Sequence, residues 1–207
     1  MVLESVDRFL DKDVAPYAHD LEADDTYPQE IVDKMVDMGL FGATIGAEYG
    51  GLGLSVSTYA KIVERVSTVW MSVSGIFNSH LIMAAAVERA GTDEQKAKWL
   101  PKFASGELRG GIALTEPDAG TDVLGLTTTA KKNEDGNWCI NGRKMWITNG
   151  CLDETGTPAD VVWVYARTGT DDRGRVEMST FIIEAGMEGY SAVSYTHLRA
   201  HETKANL

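Results

Sequence analysis

Apolar residues recur at helical spacing through the first hundred positions. Val2, Leu3, Val6, Phe9, Leu10 and Val14 share one face of a helix predicted over 2–14, which Pro16 is expected to end or kink. Pro28 opens a second helix with Ile31, Val32, Met35 and Met38 inward, and Gly39 marks its stop. Residues 39–53 are glycine-rich and apolar, which suits a packed connection. Ser55 is placed to cap a helix carrying Val56, Tyr59, Ile62, Val63 and Val66. A helix over 74–90 is apolar on most faces, as helices buried between others are, and its His80 reads as a hydrogen-bonded core residue. Thr92 and Gln95 form a capping box for a last helix ending near Pro101.

The pattern then changes period. Strands are predicted over 110–115, 127–132, 138–140, 143–147, 161–166 and 179–183. Glu134, Asp135 and Gly136 supply one turn, and Asn141 with Gly142 signals a type I′ hairpin between the third and fourth strands. A run of helices followed by a run of strands is the signature of segregated layers, giving an α+β, multidomain fold with its boundary near Arg109.

Two stretches carry candidate chemistry. The first, 112–125, starts as a strand and is interrupted at Glu116 and Pro117, because a pre-proline residue stays extended and proline donates no ladder bond. Asp118, Ala119 and Gly120 turn the chain, and Thr121 and Asp122 add short polar side chains. Such a loop gathers backbone N–H groups and hydroxyls for a polar or anionic cofactor; its plainer reading is a surface turn. The carboxylates of Glu116, Asp118 and Asp122 suit an acid–base pair or a Mg²⁺ site, but Pro117 and the capping positions of the two aspartates favour structural roles. The second stretch ends Trp146, Ile147, Thr148 and turns at Asn149 and Gly150. An aromatic beside a hydroxyl at a strand end can stack a planar ring and donate to its edge; the alternative is a core tryptophan.

The segment ALTEPDAGTDVLG at 113–125 resembles the signature of the acyl-CoA dehydrogenases, flavoenzymes that desaturate acyl-CoA thioesters. KMWITNG at 144–150 is similar to their second flavin-contacting segment, and AEYGGLGLS at 47–55 and GTDEQKAKWLP at 91–101 are similar to landmarks of their helical domain. The resemblance covers residues 1 to about 190 and implies a helical domain over 1–109 and an incomplete antiparallel β-barrel or sandwich domain over 110–193, with the C-terminal helical bundle absent. It implies FAD as cofactor, contacted by Ile112, Ala113, Leu114, Thr115, Gly120, Thr121, Trp146, Ile147 and Thr148. Trp146 would pack on one face of the flavin, Thr148 would bond near N5, and Thr121 would touch the pantetheine arm of the substrate. The implied reaction is α,β-desaturation of an acyl-CoA, with the β-hydride passing to flavin N5. The family's catalytic glutamate belongs to the C-terminal domain, so this chain is expected to hold no catalytic base and to be inactive alone. An electron-transfer flavoprotein is the implied acceptor, and a homo-oligomer the implied state of the full-length parent. An acyl-CoA oxidase or related flavin monooxygenase of the same fold, or a non-catalytic flavin- or CoA-binding fragment, are the alternatives.

Composition narrows this further. At 207 residues with 43% hydrophobic content the chain can fill a sizeable core. A net charge of −12 argues against a nucleic-acid surface. Cys139 and Cys151 are too few for a disulfide framework or zinc site and fit a reducing, cytoplasmic setting. No apolar run reaches membrane-spanning length, and residues 1–7 lack a signal peptide's basic start. Gly51 and Gly53 suggest a dinucleotide fingerprint that fails, since Val56 stands at the third glycine position. Residues 194–207 break from the composition and resemble translated sequencing-adapter read-through, expected to be non-native or disordered; His197 and His201 there mimic a metal site but lack a third ligand, so no metal is expected.

Overall fold

The computed structural model describes residues 2–151 and 156–193. The expectations for 194–207, including the pair His197 and His201, lie outside the described residues. The chain divides into two compact units, with the break between Arg109 and Gly110.

In the first unit the amphipathic spacing produces α1 (Val2–Phe9), α2 (Ala15–Ala23), α3 (Gln29–Asp37), α4 (Val56–Val69), α5 (Met71–Ala90) and α6 (Asp93–Ala104). Pro16 does not end the first helix. A π-helical turn at Leu10–Val14 joins α1 to α2, and the helical run continues through the proline near the start of α2 at the cost of one backbone bond. Val6, Phe9, Leu10 and Val14 are buried through this junction. Pro28 precedes α3, and Gly39 stops it in the left-handed region, φ 72°. The glycine-rich stretch after Gly39 is packed. Leu52 and Leu54 N–H groups donate to Gly42 and Ala43 carbonyls at 2.8 and 2.9 Å, and a Cβ on Gly51 would strike the Ile45 carbonyl oxygen.

Helix α5 packs against α4 and α6. Buried at its centre, His80 meets Phe41 and Phe103 edge-on, at centroid distances of 5.1 and 5.4 Å, and its Nε2 lies 3.1 Å from the Phe103 carbonyl oxygen. Burial holds its pKa down at about 4, so the ring is neutral near pH 7. It is a core residue, as its position suggested. Helix α6 continues past Pro101 to Ala104, because burial of Leu100, Phe103 and Ala104 outweighs one missing backbone bond.

The second unit is a five-stranded mixed sheet: β1 (Gly110–Ala113), β2 (Thr129–Lys132), β3 (Trp138–Asn141), β4 (Val161–Thr170) and β5 (Val176–Glu184). β4 pairs in parallel with β1 through Gly110↔Val161 to Ala113↔Val164 and with β2 at Thr129↔Arg167, while β5 runs antiparallel along its other edge. Ala113, Ala159, Val162 and Val164 form the core of one face, with Ile147, Ile183 and Tyr190 against it. The helical-then-sheet class stands as expected; the purely antiparallel pairing is corrected, since β1 and β2 run parallel to β4, and among the described residues the sheet is not closed, so the barrel is not confirmed.

Residues 143–147 are not a strand, and Asn141 with Gly142 makes no hairpin. Neither has positive φ, as a type I′ turn requires. Gly142 serves close approach instead, since a Cβ there would strike the Thr128 hydroxyl. The hairpin is the one between β2 and β3, where Asn133 and Asn137 close a turn with Gly136 at φ 81°.

Thr92 accepts from Gln95 N–H at 3.3 Å while Gln95 accepts from Thr92 N–H at 2.9 Å, completing the capping box. Thr92→Ala is expected to destabilise the chain by about 0.5–2 kcal/mol, read as a lowered urea midpoint at unchanged slope.

Candidate functional site

The site grows from a carboxylate that the sequence carries into the fold. Strand β1 ends at Ala113 and the chain continues extended into Glu116, held so by Pro117. Glu116 is 3% exposed. A buried carboxylate must find donors, and this one has four. Its Oε2 accepts from the Thr127 N–H at 2.6 Å and the Thr127 hydroxyl at 2.7 Å. Its Oε1 accepts from the Thr128 N–H at 2.9 Å and from Lys144 Nζ at 2.8 Å. Burial alone would raise its pKa, but Lys144 and the Thr127 and Thr128 donors overcome it and bring the value down to about 2.

Lys144 is itself nearly enclosed, with its side chain 9% exposed, and it also donates to the Leu114 carbonyl at 2.9 Å. The next residue continues the link, Met145 N–H donating to the Thr115 carbonyl at 2.8 Å. Residues 144–150 therefore form an arc bound to the end of β1 instead of a strand paired with β3. Its far end returns to the start of β1, where Asn149 Nδ2 donates to the Gly110 carbonyl at 3.1 Å.

Between these ties the arc turns outward. Trp146 sits at φ 53°, a left-handed backbone unusual for a bulky side chain, and is 66% exposed. Ile147 is half-buried against the sheet core and Thr148 is exposed. Of the other expected contact residues, Ala113 is buried, Ile112, Leu114, Thr115 and Gly120 are half-buried, and Thr121 is exposed. The hydroxyls of Thr121 and Thr148 bond to none of the described side chains or backbone groups. The fold thus brings 112–116 and 144–148 together, while 117–121 forms a turn closed by Glu116 N–H donating to the Ala119 carbonyl at 2.7 Å.

The three carboxylates separate by role. Glu116 is consumed by its donors, Asp122 caps the turn Val123–Gly125 by accepting from Gly125 N–H at 3.2 Å, and Asp118 is exposed. Sequence reasoning did not find Lys144 or Asn149. The available signal was a glutamate at the end of an apolar run, which needs a buried cation, with a lysine opening the second stretch.

Glu116→Gln leaves Lys144 without its counter-ion, so it is expected to cost about 3–5 kcal/mol. The folded pKa lies below the unfolded value, so this contribution is fully present above about pH 4.5 and is lost as pH falls toward about 2. Acid melts of the wild-type chain should show that loss, and melts of Glu116→Gln should be flatter over the same window.

The chain matches the family model for the acyl-CoA dehydrogenase N-terminal domain over residues 1–107 and the one for the acyl-CoA dehydrogenase middle domain over residues 111–204. It is 38% identical over 191 residues to a mitochondrial isovaleryl-CoA dehydrogenase of Arabidopsis thaliana, covering 91% of this chain and 45% of the relative. Among solved structures it is similar to butyryl-CoA dehydrogenase from Megasphaera elsdenii, with a TM-score of 0.81 and 32% identity over 91% of this chain and 48% of that one. A glutaryl-CoA dehydrogenase from Mycobacterium smegmatis in complex with FADH2 matches with a TM-score of 0.78 and 28% identity, over 91% of this chain and 45% of that one. The chain spans less than half the length of these relatives. With two domain models matched in order along almost its whole length, it belongs to the acyl-CoA dehydrogenase family.

Proposed function

We propose that this chain forms the N-terminal and middle domains of an FAD-dependent acyl-CoA dehydrogenase. The observation that carries the reading is the exposed, left-handed Trp146 two residues from an exposed Thr148, on an arc stitched to 114–115. A large ring surface facing solvent beside an unengaged hydroxyl fits a planar heteroaromatic cofactor. Trp146 would pack on the flavin, Thr148 would donate to its edge, residues 112–115 and 120 would help hold it, and Thr121 would contact the flavin and the pantetheine arm of the substrate. FAD, when bound, supplies the hydride acceptor. The chain's own residues orient it and exclude water from one face. Among the described residues, the buried carboxylate Glu116 is not the proton acceptor for the substrate α-carbon, because it is saturated with donors.

The base of the proposed reaction is assigned to the C-terminal domain that the resemblance implies, not to Glu116. Acyl-CoA is the proposed substrate, an electron-transfer flavoprotein the proposed acceptor, and a homo-oligomer the proposed state of the whole protein. Cys139 and Cys151, neither of them in a disulfide, support a reducing, cytoplasmic setting, and no helix among the described residues is long and apolar enough to cross a membrane.

FAD titration of the 207-residue chain tests this directly, with quenching of flavin fluorescence expected and weakened by Trp146→Phe. Absence of any flavin binding overturns the reading. The chain alone is expected to turn over no acyl-CoA with FAD and an acceptor dye, because general bases contribute about 10²–10⁴-fold. In the full-length protein Thr148→Val removes one hydroxyl at constant shape. Losing a bond of about 0.5–1.5 kcal/mol should slow flavin reduction in stopped flow by roughly three- to tenfold without lowering the apoprotein's Tm.

A further inference from the structure

The ring-facing residues Trp146 and Thr148 have almost no packing of their own to hold them, since both are exposed. A left-handed bulky residue persists only where its surroundings over-determine it. Those surroundings are the two ends of the arc. At one end, Lys144 bonds the Leu114 carbonyl and Glu116, and Met145 N–H bonds the Thr115 carbonyl. At the other, Asn149 bonds the Gly110 carbonyl from a left-handed backbone of its own, φ 59°, which asparagine tolerates better than most residues. Gly150 N–H then closes onto the Ile147 carbonyl at 2.8 Å, and Ala159 N–H onto the Gly150 carbonyl at 3.0 Å.

We infer that Lys144 and Asn149 are positioning residues: they pin the arc 144–150 across β1 at both ends, with Glu116 fixing Lys144, so that Trp146 and Thr148 are oriented before a flavin arrives. This rests on the flavin reading above and adds to it which side chains set the geometry. Neither residue needs to touch the cofactor. The device saves the ordering cost that a loose arc would meet on binding.

The test uses the whole 207-residue chain. Amide hydrogen exchange reports the pinning without any cofactor, and FAD titration with the visible flavin spectrum reports its consequence. Lys144→Met is expected to speed exchange at Met145 and Thr128 by about tenfold or more while leaving the β4–β5 ladder unchanged, and to weaken FAD by a similar factor. Lys144→Arg, which keeps the charge, should recover part of both. Asn149→Gly keeps the left-handed backbone accessible and removes the side-chain bond to Gly110, and Asn149→Asp, which tolerates the same backbone but has no amide to donate, separates that loss from glycine's added freedom. Both should therefore loosen residues 147–150 and alter the flavin spectrum even if Lys144→Met does not fold. Unchanged exchange at 145–150 in either Asn149 variant, or a rise shared by every amide of the second unit, overturns the inference. The two readings part cleanly. A wild-type chain that binds no FAD sinks the flavin assignment while the exchange data still judge the pinning. A chain that binds FAD with arc exchange unaltered in the variants keeps the flavin and sinks the pinning.

Discussion

The second unit depends on one buried carboxylate. Glu116 is carried inward because β1 runs straight into it and Pro117 forbids a helical escape. Once inside, the charge must be matched, and no single partner suffices: the two oxygens recruit Thr127, Thr128 and Lys144. Those partners come from 11, 12 and 28 residues downstream, so satisfying one carboxylate fixes two separate stretches, 127–128 and 144, against the residues that follow β1. A buried ion pair of this kind need not add net stability over an apolar cluster of the same volume. What it provides is specificity of arrangement, because an irregular arc has no ladder to set its register.

The helical unit is built on the opposite logic. Its interior is largely apolar, and among the described residues its deeply buried titratable group, His80, is kept neutral between two phenylalanines. Where this unit breaks helical rules, burial decides the outcome. The π turn at Leu10–Val14 keeps Leu10 and Val14 inside while the chain passes Pro16, and Pro101 is accepted within α6 because the following Phe103 fills the core. Local propensity proposes a stop in both cases, and side-chain packing overrides it.

This difference explains what was legible. Helix spacing, the Ser55 and Thr92 caps and the Gly39 stop are local facts, and each could be read from neighbouring letters. Strands β4 and β5 were found for the same reason, though both run longer than their apolar runs suggested. The stretch 143–147 was misread because Met145, Trp146 and Ile147 look like a strand, while the interactions that prevent it are made with residues about thirty positions earlier. The parallel pairing of β1 with β4 joins segments about fifty residues apart, and periodicity carries no information about it. For the candidate site, the two stretches were legible and the bonds that join them were not.

The backbone at Trp146 gives the last step. A left-handed conformation costs an ordinary residue roughly 1–2 kcal/mol, and a bulky side chain sits at the upper end. Glycine at that position would remove the cost, yet the chain carries its largest side chain there and leaves it 66% exposed. Burial therefore does not compensate the strain, and neither does any bond that Trp146 makes within the described residues. The compensation is spread over the ties of Lys144, Met145 and Asn149 to β1. Three anchors thus hold one exposed ring in place, and the flavin-binding role proposed for Trp146 is the reading under which that arrangement has a use.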